Sequence, residues 1–302
     1  MTRGLSPKWV SWQARVFSKA DNLAARFGGR TPPMPLAEIA REQRVHRFVF
    51  CEMPVDGGLV VEQDGFTIYV ACDDTVAANC RAKMENRGDA GRSLAPRMRF
   101  TIAHEVIHTL FYDLGRQKPV RLISAKHRKE LDSLERTCNQ GAARLLIPDR
   151  FLEPALQDLK QCDADHLKGL CQEFRVSAEA LVHRFEHSHL WLQRGIAVLV
   201  VEQAEAQSII RGAAMDGPMK MLFPQAAFGE VASVIGHYPD LAVFGGCQNK
   251  LTVNISSKMA SKAASQKCVI SCSEVSESPR QFLITIQRIG EPRFLCERHG
   301  LP

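Results

Sequence analysis

Two histidines and a glutamate stand at a spacing that can do hydrolytic chemistry: His104-Glu105-Val106-Ile107-His108. On a helix, residues four apart share a face, one turn apart. Two imidazoles so placed can converge on one ion at the ~2.0–2.1 Å that zinc–nitrogen bonds require. Glu105 is set ~100° round the helix from His104, too far to ligate beside it, yet able to reach a water on that ion as a general base. The pattern arises by chance in roughly 2% of chains of this composition, so its place inside an apolar helical segment strengthens it further. Two imidazoles and a carboxylate on a buried helix are costly unless paired or metal-bound.

A catalytic zinc takes three protein ligands and keeps one position for water. No third histidine follows at the HExxHxxGxxH spacing, which excludes that branch of peptidases. The next helix offers Glu130, Asp132 and Glu135, and His127 precedes it. Position alone does not choose among them. Tyr112, one turn past His108 if the helix continues, could donate a hydrogen bond to an oxyanion or simply sit at a core boundary.

The segment RMRFTIAHEVIHTLFYD, followed by LERTCNQGAARLLIP, resembles the ImmA/IrrE family of bacterial and phage metallopeptidases. That family shows RFTxAHExxH and, further on, ExxxNxxAAxxLxP. The resemblance implies a zincin-like domain with Glu135 as third zinc ligand and Asn139 orienting it from behind. It implies a zinc cofactor, with manganese as the alternative, and a helix-turn-helix repressor as the protein substrate, cleaved at a specific site in stress response or mobile-element control. GFTIYVACD resembles the strand ahead of the family's metal helix, which makes Thr67, Ile68 and Tyr69 the strand that a substrate peptide would join. LKGLCQEFRVSAEALVHRFEH resembles the small helical segment that follows the family's peptidase domain and looks like a helix-turn-helix unit. One departure is Ile107, where the family often has glycine. The resemblance covers about residues 30–190; some family members carry a GAF-like sensor domain beyond it.

These residues need a scaffold, and apolar periodicity supplies one. Residues 8–27 read as an amphipathic helix ended by Gly28-Gly29, with a short helix over 35–43. HRFVFCEM, GLVVEQ and GFTIYVACD read as strands, split by Asp56-Gly57-Gly58 and by a hairpin turn at Asp64-Gly65. Helices are expected over 75–86, 97–113, 128–146, 149–160, 163–174 and 177–187. Beyond Gly195, GIAVLVVEQ, KLTVNIS, KCVISCS and FLITIQRI read as strands. The expected class is α+β: a zincin-like domain over 1–148 with a small antiparallel sheet, a helical segment over 149–192, and an α+β or mostly β domain over 193–302 that senses a signal or binds substrate.

Composition narrows the remaining classes. The chain has 302 residues, 45% hydrophobic and 24% charged, which suits packed domains rather than disorder. No run approaches the ~20 apolar residues of a membrane helix, and the N-terminus reads as no signal peptide, so a cytoplasmic protein is expected. Ten cysteines without a CxxC pair fit reduced, buried thiols rather than a zinc ribbon. Residues 1–50 hold nine Lys/Arg against three Asp/Glu and so carry the whole net charge of +6. That basic segment motivates the alternative reading, a DNA-binding regulator or toxin–antitoxin partner with a non-catalytic metal site.

Overall fold

The computed structural model describes residues 7–27, 31–114, 118–119, 128–157, 163–186, 188, 196–204, 207–215, 251–257, 264–277, 280–288 and 293–294. The Gly28-Gly29 stop, His127, Cys162, Cys247 and Cys296 lie outside these residues. The described chain is mixed α+β and divides into two compact units, 1–154 with 171–180 and 155–170 with 181–302.

In the first unit, α1 (Pro7–Arg26) buries Val16, Ala20, Leu23 and Ala24 at three- and four-residue steps. That stripe packs on α5 (Arg128–Leu146), whose bounds match the expected 128–146. Each buried Val or Leu there contributes about 1.5–3 kcal/mol relative to exposure. Arg144 Nη1 donates to Asp21 Oδ2 at 2.7 Å, and Trp12 stacks on Phe111 with centroids 4.7 Å apart. Arg15 and Lys19 point away from this seam and are exposed. These basic residues of α1 therefore lie on the wet face of a docked helix.

After α2 (Leu36–Glu42) come β1 (Val45–Cys51), β2 (Gly57–Val61) and β3 (Phe66–Ala71), in sheet order β1-β3-β2. The sheet is not wholly antiparallel as expected: β2 and β3 form the antiparallel hairpin, but β1 joins β3 in parallel. Asp56-Gly57-Gly58 does not break the chain before a strand; Gly57 and Gly58 open β2 themselves. The reason is close packing. A Cβ on Gly57 would stand 2.4 Å from Thr101 Cγ2 and 3.1 Å from the Tyr69 carbonyl, so only glycine lets β2 lie this near α4 (Pro96–Thr109). Gly57→Ala is therefore expected to cost about 1–3 kcal/mol in urea unfolding, as overpacking does. Adding Thr101→Ser, which removes the opposing methyl, should recover much of that loss; no recovery would put the strain elsewhere.

α3 (Asp74–Glu85) starts where the Asp73 side chain accepts from Thr75 N at 2.8 Å, an N-cap of the usual kind. The loop after it is pinned by Arg99, wholly buried on α4, whose guanidinium donates to Gly91 O at 2.8 Å and Met34 O at 3.1 Å. Burial pulls that guanidinium's pKa down to about 9. α4 itself stops at Thr109, four residues short of the expected end, because Tyr112 and Asp113 leave the helix as β4 to pair with β5 (Lys118–Pro119). α4 and α5 meet closely: a Cβ on Gly141 would stand 3.0–3.2 Å from the Ile107 side-chain carbons. The small residue at this helix crossing is thus on α5, opposite Ile107.

Three short helices follow: α6 (Asp149–Gln157), α7 (Ala164–Phe174) and α8 (Ala178–Glu186), the last two joined by a turn with Arg175 at φ 52°. The strands of the second unit are β6 (Ile196–Ala204), β7 (Gln207–Met215), β8 (Leu251–Ser257), β9 (Ala264–Glu277), β10 (Arg280–Arg288) and β11 (Arg293–Phe294). They run antiparallel in the order β11-β9-β10-β6-β7, with β8 also on β9. β7 was not expected, because QSIIRGAAM carries little alternation. Ile196 to Val201 are all buried on consecutive positions, so both faces of the sheet are covered there.

Candidate metal centre

His104 and His108 project from one face of α4, and Glu135 comes from the second turn of the described part of α5, packed against it. The two Nε2 atoms are 2.9 Å apart. Glu135 Oε2 is 3.2 Å from His104 Nε2, and Oε1 is 3.6 Å from His108 Nε2. Four donors at ~2.0–2.1 Å around one tetrahedral ion stand ~3.3 Å from one another. The three separations bracket that value, so the two Nε2 atoms and one carboxylate fit a single divalent ion.

The nitrogens behind them are taken. His104 Nδ1 donates to Asn139 Oδ1 at 2.8 Å, which fixes the tautomer that leaves Nε2 as a lone pair. Asn139 therefore orients His104, not Glu135 as expected. His108 Nδ1 faces Cys138 Sγ at 3.6 Å. Glu135, Cys138 and Asn139 are three and four residues apart, so one turn of α5 presents the carboxylate and both backing groups. Cys138 had no signal in the sequence beyond being a cysteine.

His104, His108 and Cys138 together also make a group that could hold a metal. Geometry ranks the cysteine second to Glu135. Its sulfur lies on the Nδ1 side of His108, whereas the carboxylate meets both Nε2 atoms. Its thiol is fully buried, and burial, with the charges of Glu135 and Glu105 behind it, holds it well above the ordinary thiol range. Asp132 is exposed on α5, while His127 and the Glu130 side chain lie outside the described residues.

Glu105 is 7% exposed and lines the same cleft as the histidines. Burial raises its carboxyl pKa, and the imidazoles of His108 and His104 work against that rise. Glu135 is held well below the usual carboxylate range by hydrogen bonds from His104 and His108. For His104, burial opposes the charged form, but the hydrogen bond to Glu135 and the charges of Glu105 and Glu135 outweigh it, and the pKa rises above 6.5. A metal must displace that proton. The metal-free protein is therefore expected to bind zinc more weakly as pH falls through the raised pKa of His104, releasing a proton from the pair on binding. Titration calorimetry in buffers of different ionisation enthalpy checks this; no proton release near neutral pH would contradict it.

The cleft has a volume of about 400 Å³. Its floor is α4, its far wall Glu135 and Asn139, and its rim Asp56, Gly57 and Gly58 at the start of β2. Asp56 is ion-paired with Arg97. The strand beside the cleft is thus β2, an edge strand. Thr67, Ile68 and Tyr69 cannot accept a further strand, because β3 is central and each of the three is already paired with both β1 and β2. Tyr112 is not on the metal helix either; its ring packs edge-on to Phe66 at 6.0 Å, and it does not line the cleft.

A solved structure described as a Mycobacterium tuberculosis transcriptional regulator is similar at 17% identity and TM-score 0.49, over 90% of this chain and 76% of that one. No curated protein matches. A family model described as an IrrE N-terminal-like domain, a peptidase family, matches residues 92–186, which hold α4, α5 and every residue of the metal cluster. Over residues 92–186, this chain is thus similar to IrrE N-terminal-like domains of the metallopeptidase type.

Proposed function

We propose that this protein is a zinc-dependent endopeptidase, of the type with two histidines and a glutamate as ligands, that cuts a helix-turn-helix repressor. The carrying observation is the convergence of both Nε2 atoms and the Glu135 carboxylate in a cleft that also holds Glu105. A divalent ion held by His104, His108 and Glu135 would supply Lewis acidity to a peptide carbonyl and make water a nucleophile near neutral pH. Glu105 takes the proton from that water and returns it to the leaving amine. Asn139 and Cys138 keep the imidazoles turned inward. The edge of β2, unpaired among the described residues, is where an extended peptide would add as a strand, with Gly58 leaving open space beside it.

The repressor as substrate rests on the family resemblance alone, as do stress response, mobile-element control and a cytoplasmic setting. Among the described residues no helix is long and apolar enough to cross a membrane. Residues 193–302 are read as the part that senses a signal or grips the substrate. The DNA-binding alternative draws no support from α8: Ala178, Ala180, Leu181, Val182, Arg184 and Phe185 are all buried, which leaves little of it to enter a groove. Co-expression with a repressor encoded beside the gene tests the proposal. Two fragments that require zinc support it; an intact repressor together with chelator-insensitive, salt-dependent DNA binding would replace it with the regulator reading.

A further inference from the structure

A second cluster of metal-binding atoms stands apart from the histidines. Cys72 follows β3, Cys80 lies on α3, and Met98 is in the first turn of α4. Cys72 Sγ is 3.9 Å from Cys80 Sγ, and Cys80 Sγ is 3.6 Å from Met98 Sδ. Three sulfurs bound at ~2.3 Å in a trigonal plane would stand ~4 Å apart. The two observed separations are close to that spacing before any side chain moves. Both cysteines are buried, at 7% and 5% exposure, and Met98 is half-buried.

The donor chemistry selects the ion. Two thiols and a thioether are soft ligands that favour copper(I) over harder divalent ions. Zinc would need a fourth donor, and the Asp73 carboxylate beside Cys72 is occupied by the Thr75 amide. The nearby oxygen is the Asp73 carbonyl, 3.3 Å from Cys72 Sγ. We propose that Cys72, Cys80 and Met98 form a second metal site, specific for copper(I), which staples the end of β3 and helix α3 to the first turn of the helix bearing His104 and His108. A simple disulfide switch would leave Met98 without a part.

The test is an anaerobic titration of the full-length, zinc-loaded protein with copper(I) buffered by a competing chelator, followed by copper X-ray absorption. One copper(I) with three sulfur neighbours is expected, unchanged in His104→Ala. Met98→Leu, close in volume, should weaken it by about tenfold or more with thermal unfolding unaltered. Cys72→Ala should abolish it. Unchanged affinity in Met98→Leu, a copper with fewer than three sulfurs, or loss of the ion in His104→Ala would overturn the assignment. So would peptide mapping that finds a Cys72–Cys80 disulfide and no bound copper. Because Met98→Leu leaves both cysteines and all zinc-cluster residues in place, its result stands even if a cysteine variant misfolds.

Discussion

Glu105→Gln is expected to abolish repressor cleavage while leaving zinc content at one ion per chain. The glutamine keeps the size and the buried position of the side chain but cannot take a proton. General-base catalysis is worth roughly 10²–10⁴-fold, so the rate should fall by about that factor. Two features suit Glu105 to the proposed role of base. Glu105 is on the same helical turn as His104, inside the cleft and under β2. Its carboxyl is raised above the usual glutamate value by burial, which brings its basicity nearer to neutral pH. Asn139 and Cys138, rather than Glu105, back the two Nδ1 atoms and hold the ring orientation. Metal retention should therefore be unaffected. Cleavage persisting in Glu105→Gln would move the base to another residue; loss of zinc would make Glu105 part of the ligand set.

The second large effect separates the two candidates for the third ligand. Glu135→Ala should weaken zinc binding by more than the ~10–100-fold typical of groups that merely orient a ligand. Cys138→Ser should fall within or below that range, because the hydroxyl still accepts from His108 Nδ1. Competition against a fluorescent zinc chelator measures both. The order follows from geometry: the carboxylate reaches both Nε2 atoms at 3.2 and 3.6 Å, while the sulfur backs the opposite nitrogen of one ring. The reverse order, with Cys138→Ser losing the metal and Glu135→Ala keeping it, would make the site a His-His-Cys centre.

The parts of this site that were legible in the sequence are the local ones. His104, Glu105 and His108 sit within five residues on a helix whose apolar content marks it as buried, so spacing fixes their relative placement. α5 was legible to its ends because Pro148 stops it. The third ligand was not readable from spacing, since Glu130, Asp132 and Glu135 all lie within two turns and only tertiary packing selects the one facing α4. Cys138 was invisible for a related reason: a single cysteine in a helix has no pattern, and its meaning comes from the ring it touches.

Other misreadings share a cause. Leu110 and Phe111 continue the helical period without a glycine or proline, so nothing in the sequence marks the exit of Tyr112 into β4. Asp56-Gly57-Gly58 has the composition of a turn, yet Gly57 is glycine because β2 presses against Thr101. Alternation identified three strands but not their order, and the order decides which edge is free. Phe66 to Ile68 are buried on three consecutive positions, the mark of a central strand, whereas Val60 and Val61 of β2 are exposed. That contrast was present in the composition of the two segments but needed a third strand, β1, to give it meaning.

Zinc K-edge X-ray absorption of the loaded protein addresses the central claim without a substrate. His104, His108 and Glu135 should give two imidazole nitrogens at ~2.0–2.1 Å, further light oxygen donors and no sulfur shell. A zinc–sulfur distance of ~2.3 Å would place Cys138 on the metal and contradict the account.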